Sequence, residues 1–263
     1  MDQQMTAPVL LRENRDGVTW LTMNRPDQRN ALSLPLMAAM QAELDTIAAD
    51  PAVRVVVIGG AGAAFCAGHD LREVRANANT DYYETLFARC AHLMLSLTRL
   101  PQPVIARVHG VASAAGCQLV ATCDLAVAAE TARFATPGVN IGLFCSTPMV
   151  ALTRAVGRKA AMEFLLVGEL ADAAHAREVG LVNRVVPEAE LDAAVGDLAA
   201  RIASKSPLTL SIGKEAFYRQ AEMPLTEAYR FASEVMVRNM RAADAAEGID
   251  AFLDKREPVW TGR

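Results

Sequence analysis

The chain has 263 residues, of which 52% are hydrophobic, 21% charged and 5% aromatic; this is a folded globular composition and excludes a disordered or collagenous chain. With 26 basic and 30 acidic residues the formal net charge is −4, which leaves no basic footprint for nucleic acid or an anionic membrane surface. The expected partners therefore include neither.

Five cysteines, Cys66, Cys90, Cys117, Cys123 and Cys145, show no CxxC spacing and no paired framework, so a reducing compartment is expected. The opening MDQQMTAPVLLREN has neither a cationic start before an apolar block nor an Arg-rich, acid-poor look, and no uncharged apolar run approaches the roughly 18 residues of a membrane span. A cytoplasmic location is expected.

In chain order, Val18 to Met23 alternates as a half-buried strand and ends in a Pro-containing turn at Asn24 to Asn30. Ser33 then caps a helix with Leu36, Met40, Leu44 and Ile47 on one face. Val53 to Ile58 is β-branched and nearly continuous, the pattern of a strand covered on both faces. Asp81 to Leu100 reads as a helix with the stripe Leu86, Cys90, Leu93 and Leu97.

Val104 to Val108 reads as a strand that passes through Gly110 into the small-residue stretch Ala112 to Gly116, then into a helix reaching Thr122. Two further strands follow, Leu125 to Ala129 and Arg133 to Ala135. Strand, loop, helix and strand recur without matching residues, which suggests stacked ββα units.

Beyond Pro148 the pattern is mostly helical: Asp172 caps a helix ended by Gly180, Val185 and Val186 form a brief strand, and Leu191 to Ala203 is helical. Ser206 and Pro207 read as an N-cap and first helical position. The boundary is therefore placed between an α/β body, residues 1–205, and a helical C-terminal region, residues 206–263. Apolar Phe231, Val235, Met236, Ile249, Phe252 and Leu253 make the tail a surface for packing on the body or another subunit.

Gly59-Gly60-Ala61-Gly62 after a strand invites a dinucleotide-binding reading. Phe65 stands where the third glycine is needed and no helix signal starts there, so a flexible turn explains the glycines better. The next stretch, Ala67-Gly68-His69-Asp70-Leu71-Arg72, carries more information. Asp70 with Glu73 forms a capping box, so a helix starts there with unbonded N–H groups, and Ala67 and Gly68 let a ligand approach the main chain. Ala112 to Gln118 repeats the arrangement. Two such helix starts converging on one point could hold a carbonyl oxygen that becomes an oxyanion.

The segments AFCAGHDL, VIARVHGVASAAGCQLVATCDLAVAAETARFATPGVNIGL and DAAHAREVGLVNRVV resemble the enoyl-CoA hydratase/isomerase, or crotonase, family. The likeness runs from NRPDQRNALS to EGIDAFLDKREPVW, and AAGCQL with ATPGVNIGLFCSTP is most similar to its mitochondrial enoyl-CoA hydratase domain-containing members. The resemblance implies an α/β fold, a spiral of ββα turns with a helical C-terminal trimerisation region, assembled as a homotrimer or a dimer of trimers. It implies an acyl-CoA thioester as ligand and no cofactor beyond the coenzyme A of the substrate.

Carried over by motif position, the two backbone N–H groups that polarise the thioester carbonyl and stabilise an enolate belong to His69 and Ala115. Because the donors are main-chain groups, the His69 ring is not required for that role. Substrate contacts are expected at Ala67, Gly68, Asp70, Leu71, Arg72, Gly116 and Gly138, with Arg72 near the CoA phosphates and Arg25, Lys255 and Arg256 as weaker candidates for them. The two glutamates of family hydratases fall at Gln118 and Gly138, neither of which can titrate. A positioned acid or base contributes about 10² to 10⁴ in rate, so ordinary hydration is in doubt.

Cys145 and Ser146 lie near positions where other members keep alternative catalytic groups; a thiolate at Cys145 would need a lowered pKa, and otherwise Cys145 is a small buried residue and Ser146 a helix cap. The alternatives carried with the hydratase/isomerase reading are an acyl-CoA-binding protein without turnover and a different enolate reaction, such as thioester hydrolysis, decarboxylation or double-bond isomerisation. His92, His109 and His175 form no metal-ligand pattern, so no metal is expected.

Overall fold

Two β-sheets grow side by side, because each repeat of the chain gives one strand to each of them. The computed structural model describes residues 7–263; the first six residues, on which part of the leader expectation rests, lie outside the described residues. The chain opens with β1 (Leu10–Arg15), β2 (Val18–Met23), α1 (Leu34–Ala48), β3 (Val55–Gly60), β4 (Ala64–Cys66), α2 (Leu71–Ala76) and α3 (Thr80–Arg99). It continues through β5 (Val104–Val108), β6 (Val111–Ser113), α4 (Ala115–Thr122), β7 (Leu125–Ala129), β8 (Arg133–Ala135), α5 (Ser146–Ala155) and α6 (Arg158–Val167). After β9 (Ala171–Asp172), α7 (Ala173–Glu178) and β10 (Arg184–Val186) come the helices α8 (Leu191–Ala203), α9 (Pro207–Gln220), α10 (Leu225–Met240) and α11 (Ala243–Asp254).

The larger sheet has the order β1-β2-β3-β5-β7-β10 and the smaller β4-β6-β8-β9. The pairs β3/β4, β5/β6 and β7/β8 are thus three turns of one spiral, each followed by helix, as the ββα reading requires. From β2 to β10 the larger sheet is parallel, and such sheets need cover on both faces. β3 meets that need with an unbroken buried run. Val56 and Ile58 join the core under α1, α3 and α4, while Val55 and Val57 face Leu191, Val195 and Leu198 of α8.

Several elements differ from the sequence reading. β1 pairs antiparallel with β2 over six residues, although LLRENR carries no apolar alternation; it is an edge strand whose outer side chains are solvated. β4, β6 and β9 have two or three residues each, too few for a periodic signal, whereas β8, equally short, is the strand expected at Arg133 to Ala135. Around Pro148, α5 starts at Ser146 with Cys145 as its N-cap residue. Ser146 is therefore not the cap; its hydroxyl reaches the Phe144 carbonyl at 3.4 Å.

Behind the caps and stripes the sequence reading holds closely. Ser33, Asp172 and Ser206 each accept a helix N–H through the side chain, and Leu86, Cys90, Leu93 and Leu97 of α3 are buried. The tail is fastened to the body through α9. Lys214 donates to the Leu97 and Gln102 carbonyls and lies 2.7 Å from Asp124, which also accepts from Tyr218.

Candidate active site

The smaller sheet brings the two small-residue loops together. β4 and β6 run parallel, with Ala64 opposite Val111 and Cys66 opposite Ala112, so the segments that leave them, 67–70 and 114–116, emerge at the same end. At Gly68, φ is +95°, and a β-carbon there would stand 2.9 Å from the Ala114 β-carbon and 3.4 Å from the Ala115 nitrogen. At Gly116 a β-carbon would stand 2.1 Å from the Cys66 carbonyl oxygen. Only glycine permits these approaches, and together they seat the start of α4 against the exit of β4.

Ala114 makes the turn between β6 and α4 with φ 49° and ψ −115°, a conformation suited to glycine at the first central position of a type II′ turn. Holding an alanine there stores about 1–3 kcal/mol. The turn is fixed by its N–H, which donates to the Ala135 carbonyl at 2.9 Å. Beyond it, the first N–H of α4 to bond back is that of Gln118, to the Ala114 carbonyl. The Ala115 N–H is one of the unbonded donors of a helix start.

Across from it, Leu32 donates to the Gly68 carbonyl at 2.7 Å and Asp70 donates to the Leu32 carbonyl at 3.3 Å. The intervening N–H of His69 has no backbone acceptor among the described residues. Two main-chain donors without partners are thus held on adjoining segments, as an oxyanion site requires.

The loop is held in place from below. Asp70 caps α2 by accepting the Arg72 and Glu73 N–H groups and pairs with Arg25 at 2.9 Å. Burial alone would raise the Asp70 pKa; Arg25 and the two N–H groups outweigh it and hold the carboxyl below its usual range. Arg25 also donates to the Ala31 carbonyl, so it braces this loop and is not available for the CoA phosphates, which corrects the sequence reading. Asn30, fully buried, donates to the Ala61 and Ala64 carbonyls and accepts from the Arg25 N–H. Neither brace carried a motif that marks a site; both lie in the turn NRPDQRN.

Gly60 closes against the Phe65 and Ala64 carbonyls and Gly62 takes φ +74° beside Pro26, so the glycine-rich stretch is the turn from β3 to β4. No helix starts on it.

The side chains around the two donors are poor in carboxylates. Gln118 is buried on α4 with Oε1 3.9 Å from the Cys90 thiol of α3. At Gly138 a β-carbon would stand 2.5 Å from the Leu143 carbonyl and 2.9 Å from the Cys145 sulfur. The second glutamate position is therefore closed over by the 142–145 turn, not merely vacant. Burial pushes the thiols of Cys66, Cys90 and Cys117 up to about 12. Cys145 is raised for the same reason, against a smaller opposing effect of the Gly138 backbone. That argues against a ready thiolate nucleophile.

His69 differs from these thiols. Its ring packs edge-on against Phe87 of α3, with centroids 5.6 Å apart, and both ring nitrogens are buried without a hydrogen-bond partner among the described residues. Burial depresses its pKa, and the nearby Leu32 backbone offsets this only in part. Leaving such a group unpaired costs about 1–3 kcal/mol.

Of the remaining predicted contacts, Ala67 is half-buried, Gly68 buried, and Leu71 and Arg72 exposed on the first turn of α2. Lys255 ends α11 in the left-handed conformation, and Arg256 pairs with Glu247, well away from the two loops in sequence and engaged as a helix end. His92 is exposed, His109 contacts the Gly62 carbonyl and His175 stacks on Phe164. The described residues contain no group of three or more His, Cys, Asp or Glu able to hold a metal ion.

A spiral of ββα turns with paired backbone donors at the exits of two adjacent strands defines a crotonase-fold protein. The chain belongs to the enoyl-CoA hydratase/isomerase family, whose pattern it matches over residues 13–263. It is similar to the mitochondrial enoyl-CoA hydratase domain-containing protein 3 of Xenopus laevis, at 48% identity over 97% of this chain and 87% of the frog protein. The human protein of the same name is 46% identical over 94% of this chain and 81% of its own length. Among solved structures, an enoyl-CoA hydratase of Mycobacterium smegmatis superposes with a TM-score of 0.94 at 53% identity, covering 96% of this chain and 99% of that one. The structure of human enoyl coenzyme A hydratase domain-containing protein 3 gives 0.93 at 45%, covering 96% and 100%.

These relatives overturn the cytoplasmic expectation, since the frog, human and rat proteins are named as mitochondrial. Unpaired cysteines report a reducing environment and do not distinguish one reducing compartment from another.

Proposed function

We propose that the protein binds acyl-CoA thioesters and polarises the thioester carbonyl between the N–H groups of His69 and Ala115, stabilising an enolate. The observation that carries this reading is the contact of Gly68 with Ala114 and Ala115, which sets two unpartnered backbone donors side by side. Charge that develops on the carbonyl oxygen meets preformed dipoles there, at no cost of reorganisation. Gly68 and Gly116 let the two loops close on each other and so set the donors, while Asp70 and Leu71 begin the helix on which Arg72 offers a guanidinium to the CoA phosphates.

Water addition is slow in this reading. Gln118 cannot deprotonate water, and the turn at 142–145 fills the space a second carboxylate would need. The closed Gly138 position also favours the second reading, an acyl-CoA protein that holds its ligand or carries out another enolate reaction: thioester hydrolysis, decarboxylation or double-bond isomerisation. No cofactor is required beyond the coenzyme A of the ligand.

The exposed apolar side chains of the tail, among them Leu225, Tyr229, Met236 and Phe252, support assembly as a homotrimer or a dimer of trimers. Light scattering tests this on the intact chain and on a chain ending at residue 205; a monomeric intact chain refutes it.

Calorimetric titration with butyryl-CoA tests the ligand. Ala115→Val should crowd the carbonyl site while keeping the N–H, and weaken binding at least tenfold. Unchanged affinity would remove the thioester from this place.

A further inference from the structure

We infer that the His69 imidazole is the proton-transferring group of this site, taking a proton from the acyl carbon next to the thioester whose oxygen the same residue's N–H holds. The inference rests on the acyl-CoA reading and deepens it. Three observations converge on the ring. It belongs to a residue of the donor pair, so it starts from the same α-carbon as the N–H that meets the thioester oxygen. Both nitrogens are buried and make no hydrogen bond of good geometry among the described residues, the Leu32 backbone being the nearest group that affects them. And it packs against Phe87, one helical turn along α3 from the Cys90 thiol that Gln118 faces, so the ring and the residue that replaces the family's carboxylate both face α3.

The other titratable groups near the two loops are engaged or in the wrong form. Asp70 is paired with Arg25. Cys66, Cys90 and Cys117 are protonated thiols. Glu73 accepts the Leu34 N–H, and the buried Tyr82 hydroxyl is held in its neutral form chiefly by burial. A neutral imidazole can accept a proton at one nitrogen while the other carries its own, and burial keeps the ring neutral at neutral pH.

The step is closed in atoms and charge. The bond between hydrogen and the acyl α-carbon breaks, its electron pair forms the carbon–carbon double bond of the enolate, and the carbonyl π pair moves onto the oxygen between the His69 and Ala115 N–H groups. The imidazole becomes imidazolium. Reversal returns a proton to the α-carbon; in D2O it returns a deuteron once the ring has exchanged with solvent. No oxidant, metal or added water is consumed.

Deuterium uptake into butyryl-CoA, followed by mass spectrometry, reads this step without requiring hydration. Wild type should exchange its α-hydrogens, and His69→Gln, which keeps the backbone N–H, should bind butyryl-CoA within about threefold yet exchange at least about 100-fold more slowly. The wild-type rate should fall with acid as the ring protonates, with a midpoint below the ordinary histidine value of about 6.5. Equal exchange in His69→Gln, or a wild type that binds butyryl-CoA without exchanging it, overturns the assignment and leaves the acyl-CoA reading standing. Failure of wild type to bind butyryl-CoA overturns the acyl-CoA reading and this assignment with it. If His69→Gln does not fold, the wild-type profile decides: a rate that stays level as the pH falls from 7 to the onset of acid unfolding refutes the imidazole role.

Discussion

Gly68 and Ala114 are packed so closely that a β-carbon on Gly68 would stand 2.9 Å from that of Ala114 and 3.1 Å from the Ser113 carbonyl oxygen. The contact joins the exits of β4 and β6, and it is also where the backbone is least tolerant, since φ is +95° at Gly68 and +49° at Ala114. Gly68→Ala should combine an unfavourable φ with overpacking and destabilise the fold by about 2–4 kcal/mol. Acyl-CoA affinity should fall with it, because the loops must part. Chemical denaturation and calorimetry check both. A Gly68→Ala protein of wild-type stability would show that the two exits are not in contact.

The neighbouring turn should respond in the opposite sense. Ala114→Gly removes about 1–3 kcal/mol of backbone strain and introduces about 0.5–1 kcal/mol of chain entropy, so a gain near 1 kcal/mol is expected, visible as a higher denaturation midpoint. A lower midpoint would mean that the Ala114 methyl contributes more by packing on Gly68 than the turn loses by strain.

How the tail is anchored gives a third test. Lys214 is almost wholly buried, with Asp124 and the carbonyls of Leu97 and Gln102 around its ammonium. Burial lowers its pKa, and Asp124 only partly restores it. Lys214→Met leaves a buried carboxylate without its cation and should cost about 3–5 kcal/mol. An unchanged denaturation midpoint would mean that α9 is held by its apolar contacts alone.

Acid should loosen the carboxyl terminus. Asp244 is buried and accepts from Ser206, Thr261 and Gly262. Burial alone would raise its pKa, but these donors outweigh it and hold the carboxyl below its ordinary range. The folded value lies below the unfolded value of about 3.9, so this stabilisation is complete above that pH and is lost as pH falls through the folded value. Asp244→Asn should therefore cost about 2 kcal/mol at pH 7 and progressively less below pH 4. A deficit of equal size at pH 7 and pH 3 would count against an ionised Asp244.

The parts of this molecule legible in its sequence are those with local causes. Val55 to Ile58 announce a doubly covered strand because β-branched residues leave no polar face. Asp70 and Glu73 announce a helix start because a cap needs only neighbours three residues apart. Of the smaller sheet only β8 was visible, since its strands of two and three residues are set by pairing across the spiral, not by pattern. Arg25 was legible as a charge but not as a brace, because its partner Asp70 is 45 residues away. The closing of Gly138 by Leu143 and Cys145 was hidden although these residues are near in sequence: a glycine reads as a lost glutamate, while the turn that fills its place is seen only when folded.

That closure decides what restoring a carboxylate can achieve. Gln118→Glu keeps the length of the side chain and its place opposite the Cys90 thiol, so butyryl-CoA affinity should stay within about threefold of wild type. The new carboxyl has little water and no cation in reach among the hydrogen-bonded partners of Gln118, so burial favours its neutral acid. With a folded pKa above the unfolded value of about 4.3, the variant should lose stability relative to wild type as pH rises past that value. Hydration of crotonyl-CoA needs a second group as well. A glutamate at 138 would drive its β-carbon to 2.5 Å from the Leu143 carbonyl, so Gly138→Glu must displace the 142–145 turn and should destabilise the fold by more than about 2 kcal/mol. Gln118→Glu alone should therefore raise hydration by no more than about tenfold, and adding Gly138→Glu should lower it again. The loss of crotonyl-CoA absorbance in a steady-state assay reads both variants. If Gln118→Glu by itself reached the turnover of a family hydratase with two glutamates, one carboxylate would suffice and the closed position at Gly138 would have no bearing on the reaction.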